Sequence, residues 1–381
     1  MKPRTSTVTN FVLLDGVRGL GALLVLVGHT IAAWGPVWPA SGAIVVDAFF
    51  ALSGFVLAYA YEPKFRTGMG ARAFMLHRIV RLFPLYLLGT LLVYLTLIVF
   101  AVGDADGAQR AGGISLQLLP QLVMLPSPPQ LGAADVYSLN VPAYTLLCEL
   151  AVNLVYVLIF RWLSRRMLIG VVLVAALGLA ITILIFGRID IGSDWGTWWG
   201  GLARAMFGFF VGVLAYRLAG SPRMANRPKH WFAVPLLVML PAICFIPATP
   251  EWRPFVDIAL ACGILLPLLL ICQSLRPPDR FAGLFTLGGQ ISYGVYILHQ
   301  PIREIVKRVS WKSTIVSDLA PWSGMAIMVL VVAIAFVAER YYDRPVRDAL
   351  VAWLKSRETK RADMKVATGR PSRHRLTTQR R

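Results

Sequence analysis

Apolar residues in this chain gather into runs of roughly 17 to 25, the length that crosses a hydrocarbon layer of about 30 Å as a helix. The pattern predicts helices near 11–34, 43–61, 82–102, 141–160, 167–186, 198–216, 231–247, 255–274, 284–301 and 321–342. Backbone polar groups in lipid must be satisfied within the segment, so runs of this length are helices. The expectation is an all-α, polytopic bundle of about ten transmembrane helices. The stretch Ile114–Leu125 is too short to cross and reads as interfacial or re-entrant.

Composition agrees. Of 381 residues, 57% are hydrophobic and 15% charged, whereas a soluble domain is about a quarter charged. The first apolar run is longer than a signal-peptide core, holds Asp15 and Arg18, and lacks a small-residue cleavage site. The expectation is therefore no cleavable leader. The four cysteines lie inside apolar runs, at spacings that match neither a disulfide framework nor a zinc site. No metal is expected.

The net charge of +19 raises nucleic acid as a partner. The positions of the basic residues argue against it, because they sit at helix ends and in one tail. With residues 1–10 inside, the inner segments carry Lys64, Arg66, Arg72, Arg78, Arg81, Arg161, Arg165, Arg166, Arg217, Arg223, Arg227, Lys229, Arg276 and Arg280. The outer segments carry Arg110, Arg188, Arg253 and the cluster Arg303, Lys307, Arg308 and Lys312. That asymmetry predicts a multi-pass protein of the inner (plasma) membrane with both termini cytoplasmic. The outer cluster breaks the rule: either an odd span is misplaced or these cations contact something acidic outside, and the second reading is favoured because removing a helix would put the basic C-terminal segment outside. Residues 11–347 form the transmembrane domain in this reading. Residues 348–381 form a basic, largely disordered cytoplasmic tail suited to membrane lipids.

Charged residues inside the runs are the candidates for chemistry, since each costs about 2.5 kcal/mol or more in lipid. Arg18 and His29 are eleven residues apart on the first helix. They share a face, about 16 Å apart along its axis. Asp15, three residues before Arg18, can pair with it. Glu149 lies in the fourth helix at a depth comparable to His29, so a His29–Glu149 contact is feasible; a structural interhelical hydrogen bond is the plain alternative. Arg78 and Arg81 share a face at the start of the third helix. They suit a phosphate-bearing ligand, with positive-inside anchoring as the alternative.

The same residues carry a family pattern. Leu14-Asp15-Gly16-Val17-Arg18-Gly19 with His29 resembles the Arg-x10-His signature of the membrane-bound acyltransferase-3 family. Asp47 to Phe55 is similar to its second-helix motif, and Arg78-Ile79-Val80-Arg81 to its Arg-x-x-Arg element. Tyr144-Thr145-Leu146-Leu147-Cys148-Glu149 resembles its Trp-Ser-Leu-x-x-Glu segment, with Tyr and Thr in place of Trp and Ser. Ile291 to Pro301 resembles its late Ser-Tyr-x-x-Tyr-x-x-His motif, and Asp343-Arg344-Pro345 stands where the last helix ends in Glu-x-Pro.

The resemblance implies an O-acyltransferase with an acyl-CoA donor, acetyl-CoA foremost, drawn from the cytoplasm. It implies that Arg78 and Arg81 hold donor phosphates, that Asp15-supported Arg18 serves the donor path, and that Glu149 tunes His29. His29 is then either general base or transient acyl carrier. Tyr144, Ser292, Tyr293 and His299 are implied on the substrate side, with packing as the alternative for the last three. The acceptor is a hydroxyl of a glycan, lipid-linked sugar or secondary metabolite. The extracellular hydrolase-like domain fused in some members is not expected here, which implies direct transfer or handover to a partner. The rival class is a transporter of a polar or acidic solute, disfavoured by the lack of repeated hydropathy halves. Oligomeric state is left open by the sequence.

Overall fold

The computed structural model describes residues 11–35, 42–101, 106–219, 242–275 and 277–367. The protein is an all-α membrane bundle. Its helices are α1 (Val12–His29), α2 (Ile44–Arg66), α3 (Ala71–Ala101), α4 (Gly107–Gln121), α5 (Tyr144–Ile159), α6 (Arg165–Phe186) and α7 (Trp198–Ala219). They continue with α8 (Arg253–Ser274), α9 (Asp279–Lys312), α10 (Trp322–Ala338) and α11 (Arg344–Ala367), the last two joined by a π-helical turn at Glu339–Asp343. Among the described residues, nine helical segments are long and apolar enough to cross a membrane. The predicted seventh helix, 231–247, lies mostly outside the described residues. Lipid-facing character is plainest on α6, where Leu173, Val174, Leu177, Ile181 and Leu184 are all exposed.

Two parallel helix pairs organise the bundle, and both rest on glycine. Gly19 of α1 meets Gly288 of α9 so closely that a Cβ at residue 19 would lie 2.8 Å from the Gly288 Cα. Small residues permit that approach where apolar burial gives no net drive between helices in lipid. Ten residues further on, His29 meets His299, so α1 and α9 run in the same direction. In the second pair, Gly54 of α2 faces the Phe209 carbonyl, while Gly208 and Gly212 of α7 face the Asp47 and Ala51 carbonyls.

Ion pairs clamp that second pair at both ends. Arg204 is 1% exposed and grips Asp47 through Nε–Oδ1 and Nη2–Oδ2 contacts of 3.0 Å each. Its remaining N–H groups reach the carbonyls of Ala43 (2.7 Å) and Ile191 (3.1 Å) and the Tyr144 hydroxyl (3.3 Å). At the opposite end Glu62 accepts from Arg217 (2.8 Å), Tyr156 (3.0 Å) and Arg66 (3.0 Å). A buried pair satisfied this fully holds, whereas loss of one partner strands a charge.

Helix lengths depart from hydropathy at three places. α3 starts at Ala71, eleven residues before the predicted 82, because Ala71 to Arg81 favours helix and buries Phe74 and Arg78. α9 runs on to Lys312, so Arg303, Lys307, Arg308 and Lys312 belong to a helix rather than a loop, with Arg308 over the Phe100 ring of α3. Helix also continues through Ala367, which corrects the expectation of a disordered tail over 348–367; residues 368–381 lie outside the described residues. The 114–125 stretch falls on α4, a 15-residue helix with Leu116 and Leu119 exposed, in line with a segment too short to cross.

Candidate active site

Four helices, α1, α2, α5 and α9, together with the start of α3, enclose a cavity of about 290 Å³. One end is cationic: Arg18, Arg78 and Arg81 line it against a single lining carboxylate, Glu149. Arg18 lies 3.8 Å from Asp15, the i, i+3 pair expected on α1. Asp15 itself is set against Gly289, where a Cβ would stand 2.5 Å from the Asp15 Cβ.

Glu149 does not meet His29. It accepts from Arg78 and, at 2.6 Å, from the Ser53 hydroxyl. The correction follows from the length of α3. Because that helix begins at Ala71, Arg78 is carried about 10 Å along its axis into the bundle, where α5 presents Glu149. The Arg78 Nε is buried with no hydrogen-bond partner among the described residues. Buried donors are normally satisfied, so this one is a fit for a ligand oxygen.

His29 meets His299 instead. His29 Nδ1 lies 2.6 Å from His299 Nε2, with ring centroids 4.9 Å apart. His299 is fully buried, and its Nδ1 lies 3.2 Å from the Val295 carbonyl. A carbonyl only accepts, so Nδ1 of His299 donates to it. In the neutral pair Nε2 of His299 then accepts, and His29 donates from Nδ1. That leaves the His29 Nε2 lone pair free on an exposed ring. Such a nitrogen can take a proton or an acyl group.

The remaining expected residues divide. Ser292 and Tyr293 line the cavity; their hydroxyls bond the Gly289 carbonyl (2.8 Å) and the Leu82 carbonyl (2.5 Å). Tyr144 is not among the lining residues, and its hydroxyl belongs to the Arg204 network. His299 is placed as the partner of His29 rather than on an open acceptor surface. Sequence reasoning missed Arg204, although a lone arginine in an apolar run is a costly residue that asks for a partner. It also missed Ser53, Phe49, Thr145 and Tyr296 as cavity residues; they sit in quoted motifs but carry no charge to mark them.

Comparison with known proteins adds the family. Residues 11–340 match the acyltransferase-3 family, described as an acyltransferase domain. The chain belongs to this family. It is an acyltransferase and a membrane protein. The chain is 37% identical to Protein 2 in picA locus of Rhizobium radiobacter over 179 residues, which is 45% of this chain and 92% of that protein. It is 29% identical to Acyltransferase MdmB of Streptomyces mycarofaciens over 124 residues, 32% of this chain and 30% of that protein. No solved structure matches. Within the acyltransferase, the matched region takes in α1 to α10, and so every residue of the cavity and the histidine pair.

Proposed function

We propose that this acyltransferase moves a short acyl group, acetyl foremost, from cytoplasmic acyl-CoA to an acceptor hydroxyl beyond the opposite face of the inner membrane. The observation that carries the reading is a cavity lined both by three arginines and by Tyr296, whose ring lies 6.2 Å from His299. The arginines suit the phosphates of the donor, and planar guanidinium groups bind phosphate in two-point contacts. The donor's extended arm follows the cavity toward the histidines.

At the far end the His29 Nε2 takes the proton of the acceptor hydroxyl. The hydroxyl oxygen attacks the thioester carbonyl, the carbon–sulfur bond breaks, and the CoA thiolate recovers the proton from His29. His299 holds the His29 tautomer that leaves Nε2 basic. Positive charge on the basic segments between helices supports a membrane orientation with both termini cytoplasmic. The cations Arg303, Lys307, Arg308 and Lys312 favour an acidic glycan or lipid-linked sugar as acceptor.

Labelled acetyl-CoA supplied to membranes containing the protein tests the reading. Label should appear as an alkali-labile ester on a non-protein acceptor. His29→Ala should abolish that ester while the protein accumulates and still binds CoA. Undiminished ester formation by the variant would sink the assignment.

A further inference from the structure

The cavity extends past the arginines in both directions. Its lining follows one face of α2 from Val46 through Ser53 and Leu57 to Tyr61, a length of about 22 Å along the helix axis. Ser53 marks the level of the arginines on that face, because its hydroxyl and the Arg78 guanidinium share the Glu149 carboxylate. Tyr61 lies about two turns further on, toward the end of α2 that carries Lys64 and Arg66. On the α3 side its ring meets Phe74, one turn before Arg78, with centroids 4.9 Å apart. The Tyr61 ring is half-buried. Over it, 4.5 Å from the centroid, rests the ammonium of the exposed Lys64. A lysine on a ring at an exposed site makes a weak contact, which a flat ligand can displace at small cost.

We infer that Tyr61 and Lys64 form a subsite for the phosphorylated nucleoside of the donor, with the purine on the Tyr61 ring and the ribose phosphate at Lys64. The inference rests on the donor reading above. A CoA donor carries its diphosphate between two unlike parts, the thioester-bearing arm and the nucleoside. With the diphosphate at the arginines and the arm running toward Thr145 and Tyr296, the nucleoside points the other way, to Tyr61. A purine offers a flat π-face that stacks on an aromatic ring. Lys64, displaced from that ring, presents a point charge to the ribose phosphate. Losing one base–aromatic stack weakens binding by roughly 5- to 150-fold.

The test compares the binding of CoA, dephospho-CoA and phosphopantetheine, which lacks the nucleoside, to the purified full chain in lipid nanodiscs. Tyr61→Leu should weaken CoA by about fivefold or more. Its affinity for phosphopantetheine should stay close to wild type, which shows that the fold and the arginine end are intact. Tyr61→Phe keeps the aromatic face and should bind CoA as the wild type does. Lys64→Gln should remove most of the preference for CoA over dephospho-CoA. Unchanged CoA affinity in Tyr61→Leu, or an equal loss for CoA and phosphopantetheine, overturns the subsite and leaves the donor reading standing. A preference for CoA over dephospho-CoA that survives Lys64→Gln in full overturns the place of the ribose phosphate at Lys64. A wild type that binds neither CoA nor phosphopantetheine overturns the donor reading and the subsite with it.

Discussion

His29, the last residue of α1, and His299, midway along α9, face each other across 2.6 Å where two helices pack backbone to backbone at Gly19 and Gly288. The imidazole pair is a product of that close parallel packing, and its chemistry depends on the packing being kept.

The pairing sets the first prediction. His299→Gln removes the ring that receives the His29 Nδ1–H and frees the His29 tautomer. Turnover should fall by about 10- to 100-fold, up to the lower limit of a full acid–base contribution because His299 only orients the base, while the KM for acyl-CoA stays close to wild type. A parallel rise in that KM would place His299 on the donor path instead.

The glycine contact yields a second prediction far from any reacting atom. At Gly19 an added Cβ meets backbone at 2.8 Å, whereas at Gly288 the nearest atom is 3.5 Å away, an ordinary contact. Gly19→Ala should therefore separate the histidines and lower turnover by about tenfold or more, since small misplacements of reacting groups are costly. Gly288→Ala should be tolerated. Steady-state kinetics on the two variants decides this, and equal behaviour of both counts against the packing argument.

Much of this arrangement was legible in the sequence, and the reasons are physical. Charges are expensive in lipid, so Asp15, Arg18, Arg78, Arg81 and Glu149 announce themselves, and all but Asp15 line one cavity. Helix periodicity puts Asp15 beside Arg18. What hydropathy misjudged was the start of α3: an amphipathic, arginine-bearing turn scores as polar and is left out of a span. That error placed Arg78 at a membrane surface and gave Glu149 to His29. Pairings between distant helices, such as Asp47 with Arg204, leave no trace in local pattern.

The Asp47–Arg204 pair gives a stability prediction. Arg204→Ala strands a fully buried carboxylate and should cost about 3–5 kcal/mol. The double variant Asp47→Leu with Arg204→Met removes both charges and should recover most of that loss. Thermal unfolding in detergent reports the difference, and a double variant no more stable than the single one would argue for a role beyond clamping α2 to α7.

The arginine end should act on the donor alone. Arg81→Gln removes one charge-assisted phosphate contact, worth about 1.5–3 kcal/mol, so CoA affinity should weaken by roughly 10- to 100-fold. Arg78→Gln also strands Glu149, and the Arg78→Gln, Glu149→Gln double variant isolates the phosphate contribution. Titration of CoA onto these proteins checks it; unchanged affinity would return the arginines to an anchoring role.

In the proposed reaction donor and acceptor meet from opposite faces of the bundle, with the arginines near one end and the histidine pair near the other. Sealed inverted vesicles, with the cytoplasmic face outward, test it when given labelled acetyl-CoA outside. Label should accumulate as ester on acceptor inside the vesicles while CoA stays outside, and His29→Ala should abolish the transfer. Label confined to acceptor on the outer surface of sealed vesicles would contradict it.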